Sequence, residues 1–328
     1  MSKPKIAFYW CASCGGCEEA IVDLDVDILP VVGAVDIVLW PIALDFKKSD
    51  IEGFQDGEIT VSFINGAVRT EEQQEMVHLL RKKSKLVVAF GACSQLGGIP
   101  GLMNFSTGKN MMDEIYKNSP IVNNTEGTIP RTKCEVDLGD NKDEKGELTL
   151  SGMFNHVYPL DQIIDVDYYL PGCAPTKNIV VGAVNAILTG NLPAKGTVLS
   201  PNKALCEECK LNSTKPDKFT IKEFKRPHLH KVDPDKCLLS QGFICMGIAT
   251  RAGCGAQCIS ANMPCEGCFG PTDNVKDQGA KFLSAVASMI DTDDEEEIKR
   301  VIDTIDDPAG YFYRFSLASS ILQGKENK

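Results

Sequence analysis

Eight cysteines crowd between Cys206 and Cys268, and this restricts what the chain can fold into more than any other feature. The stretch 196–275 has no clear helical or strand periodicity and is rich in Cys, Pro, Gly, Lys and Asn. Such a segment cannot bury enough apolar surface to order itself, so it needs staples, and bound metal is the natural one. Six further cysteines (Cys11, Cys14, Cys17, Cys93, Cys134 and Cys173) are spread over residues 1–195. Fourteen thiols could form disulfides in an exported protein. The N-terminus, however, runs from Met-Ser-Lys-Pro-Lys straight into the apolar Ile6–Trp10, with no signal-like pattern and no Arg-Arg pair. A cytoplasmic setting is expected, and with it metal or redox use of the cysteines.

Bulk properties narrow the field further. No run reaches the roughly 18 apolar residues of a membrane span. The richest candidate, Ile179–Leu188, is short and carries Asn185. The formal charge is −11 and there is no basic stripe, so a nucleic-acid partner is not expected. Part of the surplus lies in Asp291–Glu297, which reads as a solvated acidic helix start.

The first half alternates strand and helix patterns. Strands are expected at Ile6–Trp10, Val35–Trp40, Ile59–Ile64, Lys85–Phe90 and Val166–Leu170. Helices are expected at Glu18–Leu24, at Glu71–Lys83 behind a Thr70 cap, and at Asn178–Leu188 ending near Gly190. Short apolar strands separated by helices predict a flavodoxin-like α/β domain with a parallel sheet covered on both faces. Residues 101–165 interrupt the pattern, and Asp137–Glu147 reads as a polar surface excursion. Helical periodicity returns after Val275, and the aromatic-rich Tyr311–Leu322 is expected to pack on the protein itself. The division expected is 1–195, 196–275 and a helical tail 276–328.

Three of the strands lead into cysteine loops: Cys14-Gly-Gly-Cys17 after the first, Gly91-Ala-Cys93 after the fourth and Pro171-Gly-Cys173 after the fifth. Ligands of open parallel sheets sit outside the carboxyl ends of the strands, so these loops should converge. Cys14, Cys17, Cys93 and Cys173 form a four-thiolate set suited to an iron–sulfur cube, with a zinc site as the competing reading. Gly15, Gly16, Gly91 and Gly172 would let backbone approach the bound group. The eight later cysteines suit two further groups of four. A zinc ribbon fits poorly, because 55 residues, four of them cysteines, separate the Cys206-Glu-Glu-Cys209 pair from Cys265-Glu-Gly-Cys268.

Cys-x-Gly-Cys-x-Glu after the first strand, Gly-x-Cys-x-x-x-Gly-Gly-Ile after the fourth and Pro-Gly-Cys after the fifth resemble the small-subunit signatures of nickel–iron hydrogenases. Pro264–Pro271 and Cys237–Cys245 are most similar to the cytoplasmic, methyl-viologen-reducing (deazaflavin-non-reducing) branch of methanogens. The resemblance implies three 4Fe–4S clusters: a proximal one on Cys14, Cys17, Cys93 and Cys173, a medial one on Cys254, Cys258, Cys265 and Cys268, and a distal one on Cys206, Cys209, Cys237 and Cys245. Glu19 falls on the motif's glutamate and is a candidate for an interface or proton-route role. The family further implies a large subunit carrying the nickel–iron centre, with no catalytic residue in this chain. The onward acceptors would be a small iron–sulfur subunit and, by analogy, heterodisulfide reductase. A complex-I-like subunit is the alternative, although this chain lacks the adjacent Cys-Cys pair of that relative. A zinc-stabilised, non-redox binding protein is the second alternative. Cys11 is expected to be a buried thiol, Cys134 a free one, and His228 and His230 are not expected to be ligands.

Overall fold

The structure is a computed structural model and describes residues 3–137 and 145–323. Its ten strands are β1 (Lys5–Trp10), β2 (Asp36–Leu39), β3 (Ile59–Asn65), β4 (Val68–Thr70), β5 (Ser84–Phe90), β6 (Lys133–Asp137), β7 (Lys145–Thr149), β8 (Met153–Tyr158), β9 (Tyr168–Leu170) and β10 (Thr197–Val198). Six of them form one sheet in the order β10-β9-β5-β3-β1-β2, and every pairing in it is parallel. Leaving out the two-residue edge strand β10, the order is 2-1-3-4-5, the flavodoxin-like winding. The α/β expectation therefore holds. β10 was not foreseen, because two residues carry no periodicity.

Apolar runs in the central strands are explained by burial on both faces. On one side Ile6, Phe8, Val61, Phe63, Val88 and Phe90 pack under the helices Gly16–Val22 and Lys177–Thr189. On the other, Ala7, Ile64, Val87 and Ala89 meet Ile51, Met76, Val77 and Leu80 of the helices Lys48–Glu52 and Glu71–Lys83. The Thr70 cap is present, its side chain accepting from the Gln73 N–H at 3.3 Å, and Gly190 closes Lys177–Thr189 in a left-handed conformation. Within 101–165, β6 and β7 form an antiparallel pair, and β8 pairs with β4. Most of the polar excursion expected at Asp137–Glu147 lies outside the described residues.

The cysteine-rich segment has a core of its own. Leu205, Leu238, Phe243, Phe282, Val286 and Phe312 belong to one buried cluster, so the helices Gln278–Ala287 and Pro308–Phe312 close over the loops that carry the thiols. The acidic run does start a helix, Glu295–Ile302, capped by Asp294. Tyr313, Phe315, Leu317 and Ala318 are buried, as expected for this segment. The Gly98 N–H donates to the Phe315 carbonyl at 3.0 Å, which ties the chain's end to the loop after Cys93.

One ion cluster braces the sheet. Asp167 is buried, and its carboxylate takes Arg81 at 2.6 Å, Lys195 and the Val87 N–H at 2.8 Å. Burial pushes the Asp167 carboxyl up, but these hydrogen bonds outweigh it and hold it below the usual range. A depressed carboxylate stabilises the fold above its unfolded-state pKa, and that contribution fades as pH falls through the folded value. Asp167→Asn is expected to cost about 2 kcal/mol at neutral pH. In urea titrations its gap from the parent should narrow below about pH 4. A gap unchanged at low pH would rule out this role.

Candidate iron–sulfur sites

The first thiol set forms along the carboxyl edge of the sheet, from β1 across to β9. The loop after β1 carries Cys14 and Cys17, the loop after β5 carries Cys93 and the loop after β9 carries Cys173. The four thiols come close enough to act on one another. Burial is the main force pushing the Cys17 thiol up, and Cys93, Cys173 and Cys14 add to it. Burial likewise pushes Cys93 up to about 12, with Cys173 and Cys14 again contributing.

Two glycines are required for sulfur to sit there. At Gly91, φ is +88° and an added Cβ would lie 2.3 Å from Cys17 Sγ; at Gly98, φ is +57° and the Cβ would lie 2.5 Å from Cys93 Sγ. Gly91 was foreseen from the sequence and Gly98 was not. Gly16 behaves otherwise: it opens a helix, and its N–H points to Cys14 Sγ at 3.4 Å.

Beneath this loop lies a buried network that the sequence did not reveal. Glu18, not Glu19, is the buried carboxylate, 1% exposed, while Glu19 is at the surface. Glu18 accepts from Trp40 Nε1 and Asn65 Nδ2. Asn65 also accepts from Ser13 Oγ at 2.8 Å, so the residue before Cys14 is held from the far side. An adjacent Glu-Glu pair gives no local signal of which member turns inward.

The second set divides in two. Cys206, Cys209, Cys237 and Cys245 line one small cavity, of about 20 Å³. Cys254, Cys258, Cys265 and Cys268 line another, of about 110 Å³, and Cys173 of the first set borders it too. Burial pushes Cys206 and Cys268 up to about 12, Cys245 up to about 11, and Cys265 well up. A cationic core would have to supply the charge that makes thiolates of these groups. The backbone is already arranged for anionic sulfur. Cys245 accepts from the Cys265 N–H at 3.4 Å, and the backbone at Ala256 and Gln257 opposes the upward push of burial on Cys254. The Glu208 carboxylate receives the N–H groups of Gly253 and Gly255 at 2.9 and 3.2 Å, which pins the Cys254 loop against the Cys206–Cys209 turn. All twelve sulfurs are free of disulfides. Among the described residues, no three or more His, Cys, Asp or Glu close up as a lone metal ion would need. The Cys254–Cys268 thiols ring a space, and four thiols to each group is the donor set of an iron–sulfur cube.

The remaining candidates lie apart. Cys11 is buried in the core on the opposite face of the sheet from Cys17. Cys134 is exposed on β6, and its thiol points to the Glu135 carbonyl at 3.4 Å. His228 and His230 are exposed and line neither four-thiol cavity, although His228 borders a separate cavity that Cys265 also reaches. Gly91→Ala should lower stability by about 1–3 kcal/mol, because it combines a clash on sulfur with a strained backbone. A variant that melts with the parent would show that this approach is not tight.

Residues 14–187 match the family model of the NADH ubiquinone oxidoreductase 20 kDa subunit. That span covers the first thiol set and four of the six strands of the sheet, and stops short of the later eight cysteines. Full-length relatives cover those as well. The chain is 36% identical to the iron–sulfur subunit of the F420-non-reducing hydrogenase of Archaeoglobus profundus, over 98% of both chains. It is 35% identical to the corresponding subunit of the F420-non-reducing hydrogenase of Methanothermobacter thermautotrophicus, over 99% of this chain and 98% of that one. In fold it is similar to a chain of the NiFeSe hydrogenase of Dm. baculatum, with a TM-score of 0.50, 16% identity, and coverage of 83% of this chain and 95% of that one. The deazaflavin-non-reducing resemblance read from the cysteine motifs is thus borne out, and the chain belongs to the family of F420-non-reducing hydrogenase iron–sulfur subunits, the small-subunit components of nickel–iron hydrogenases.

Proposed function

We propose that this chain is the electron-transfer subunit of its hydrogenase and holds three 4Fe–4S clusters. Cys14, Cys17, Cys93 and Cys173 would hold the proximal one. Cys254, Cys258, Cys265 and Cys268 would hold the medial one, and Cys206, Cys209, Cys237 and Cys245 the distal one. The observation that carries this reading is the continuity between the sets. Cys173 of the first set lines the same cavity as Cys254, Cys258, Cys265 and Cys268, and the Cys265 N–H reaches Cys245 Sγ. This supports the order first set, Cys254–Cys268 set, Cys206–Cys245 set, with a shared cavity at one junction and a backbone N–H on sulfur at the other. When bound, each cluster supplies one-electron redox capacity, with a potential set by sulfur hydrogen bonds, charge and exposure. The chain's own residues keep the thiols apart, donate N–H groups to sulfur and exclude water from Cys17, Cys245 and Cys265.

Hydrogen oxidation itself, to two protons and two electrons, belongs in this reading to a large subunit with the nickel–iron centre. Its docking face is marked by exposed apolar residues following the carboxyl ends of β1, β2 and β5: Trp10, Ile42, Leu44 and Ile99. The Trp10 ring packs against Gly15, beside exposed Cys14. Glu19 lies at the surface on the same loop and fits an interface role there. The onward acceptors, a small iron–sulfur subunit and then heterodisulfide reductase, follow from family resemblance, as does a cytoplasmic setting. Among the described residues no helix is long and apolar enough to cross a membrane.

Two measurements test the proposal. The purified chain in its native complex should contain about twelve iron and twelve acid-labile sulfide, as three cubane clusters require. Stoichiometric zinc with little sulfide would overturn it in favour of a zinc-stapled protein. Cys14→Ser should slow hydrogen-dependent viologen reduction at least about tenfold in an intact complex. Full activity there would remove the proximal assignment.

A further inference from the structure

Between Cys209 and Cys237, both lining the cavity of the Cys206–Cys245 set, the chain runs 27 residues with eight Lys and Arg against four Asp and Glu. The rest of the chain is strongly acidic, so the overall charge of −11 conceals this local reversal. Lys210, Lys218, Lys222, Lys231 and Lys236 are exposed. Only Lys236, with Asp233, and Arg226, with Asp306, are in ion pairs. Among the described residues Lys210, Lys215, Lys218, Lys222, Lys225 and Lys231 have none. Lys215 lines the thiol cavity itself, and its charge acts on Cys206. Cys206, Cys209 and Cys237 are partly exposed there. Concentrating like charge on one loop costs self-repulsion, and among the described residues ion pairs neutralise only Arg226 and Lys236 of the eight.

We infer that the 210–236 loop is the docking surface for an acidic electron-transfer protein, which receives electrons at the Cys206–Cys245 set. This rests on the electron-transfer reading above and adds to it the charge class of the partner and the residues that meet it. Carboxylates on the partner would answer the lysines beside the partly exposed Cys206, Cys209 and Cys237. Such complementarity acts chiefly on encounter rate and specificity, and salt screens it. Anionic lipid is the competing occupant. An electron donor or acceptor is favoured because the positive charge borders a redox-suited thiol set instead of an apolar insertion face.

The test uses the native complex with its large subunit, comparing the parent with the variant Lys210→Glu, Lys218→Glu, Lys222→Glu and Lys231→Glu. Hydrogen-dependent reduction of an acidic two-cluster ferredoxin and of methyl viologen is followed at about 50 mM and 500 mM salt. The KM for ferredoxin should rise about tenfold or more at low salt, and parent and variant should converge at high salt. Viologen, a small dication, should be reduced as fast as before or faster, which also shows that the variant is folded and wired. A ferredoxin KM unmoved by charge reversal or by salt would overturn the proposal. So would lysine-dependent binding to phosphatidylserine vesicles with unchanged ferredoxin kinetics. If the parent complex reduces neither acceptor, the electron-transfer reading itself fails, and this surface with it.

Discussion

Burial of sulfur without burial of compensating charge is the constraint on which the structure turns. A thiol in an apolar pocket resists ionisation, and at least seven of the twelve candidate ligands are pushed up by burial. Holding these groups as thiolates would take positive charge from a bound metal core, aided by N–H groups aimed at sulfur. The irregular loops of the second half make sense on those terms. They forgo helix and strand hydrogen bonding, and some of the N–H groups so released serve thiols instead, as Cys265 does for Cys245. The helices Gln278–Ala287 and Pro308–Phe312 then roof the arrangement with Phe282, Val286 and Phe312.

The sheet solves a different problem. Parallel strands end in loops on one edge, so residues 14, 93 and 173 can meet although nearly 160 positions separate the first from the last. The same sheet separates Cys11 from Cys17. A six-residue difference along the loop after β1 is enough to send one thiol to each face. The network of Glu18, Trp40, Asn65 and Ser13 then fixes the loop from below. An acceptor-only group suits Glu18, because both of its partners donate.

The two halves are joined where function would need them joined. Cys173 follows the sheet strand β9 and borders the cavity that Cys254, Cys258, Cys265 and Cys268 line. Glu208 belongs to the Cys206–Cys209 turn and caps the loop of Cys254. The Phe315 carbonyl reaches back to Gly98 beside Cys93. Each link crosses from one thiol set or its support to another, so displacement of one set would be felt by its neighbour.

Strand and helix periodicity, the Thr70 cap and the Gly190 stop were legible in the sequence because they are local: each depends on residues within a turn or a pleat of one another. The cysteine spacings and Gly91 were legible because metal ligands and positive-φ turns demand particular residue types. What could not be read locally was contact between distant segments. Whether Glu18 or Glu19 turns inward depends on Trp40 and Asn65, and the need for a bare Gly98 depends on Cys93 and the returning chain end. The basic loop was written in the residues all along, but its meaning depends on where it lies. Composition sees an acidic protein, and only the folded chain brings Lys215 to the mouth of a thiol-lined cavity. Sequence determined which groups could bind and turn, since that is intrinsic to each residue, while tertiary structure decided which of them meet, since through-space proximity is a property of the whole packed chain.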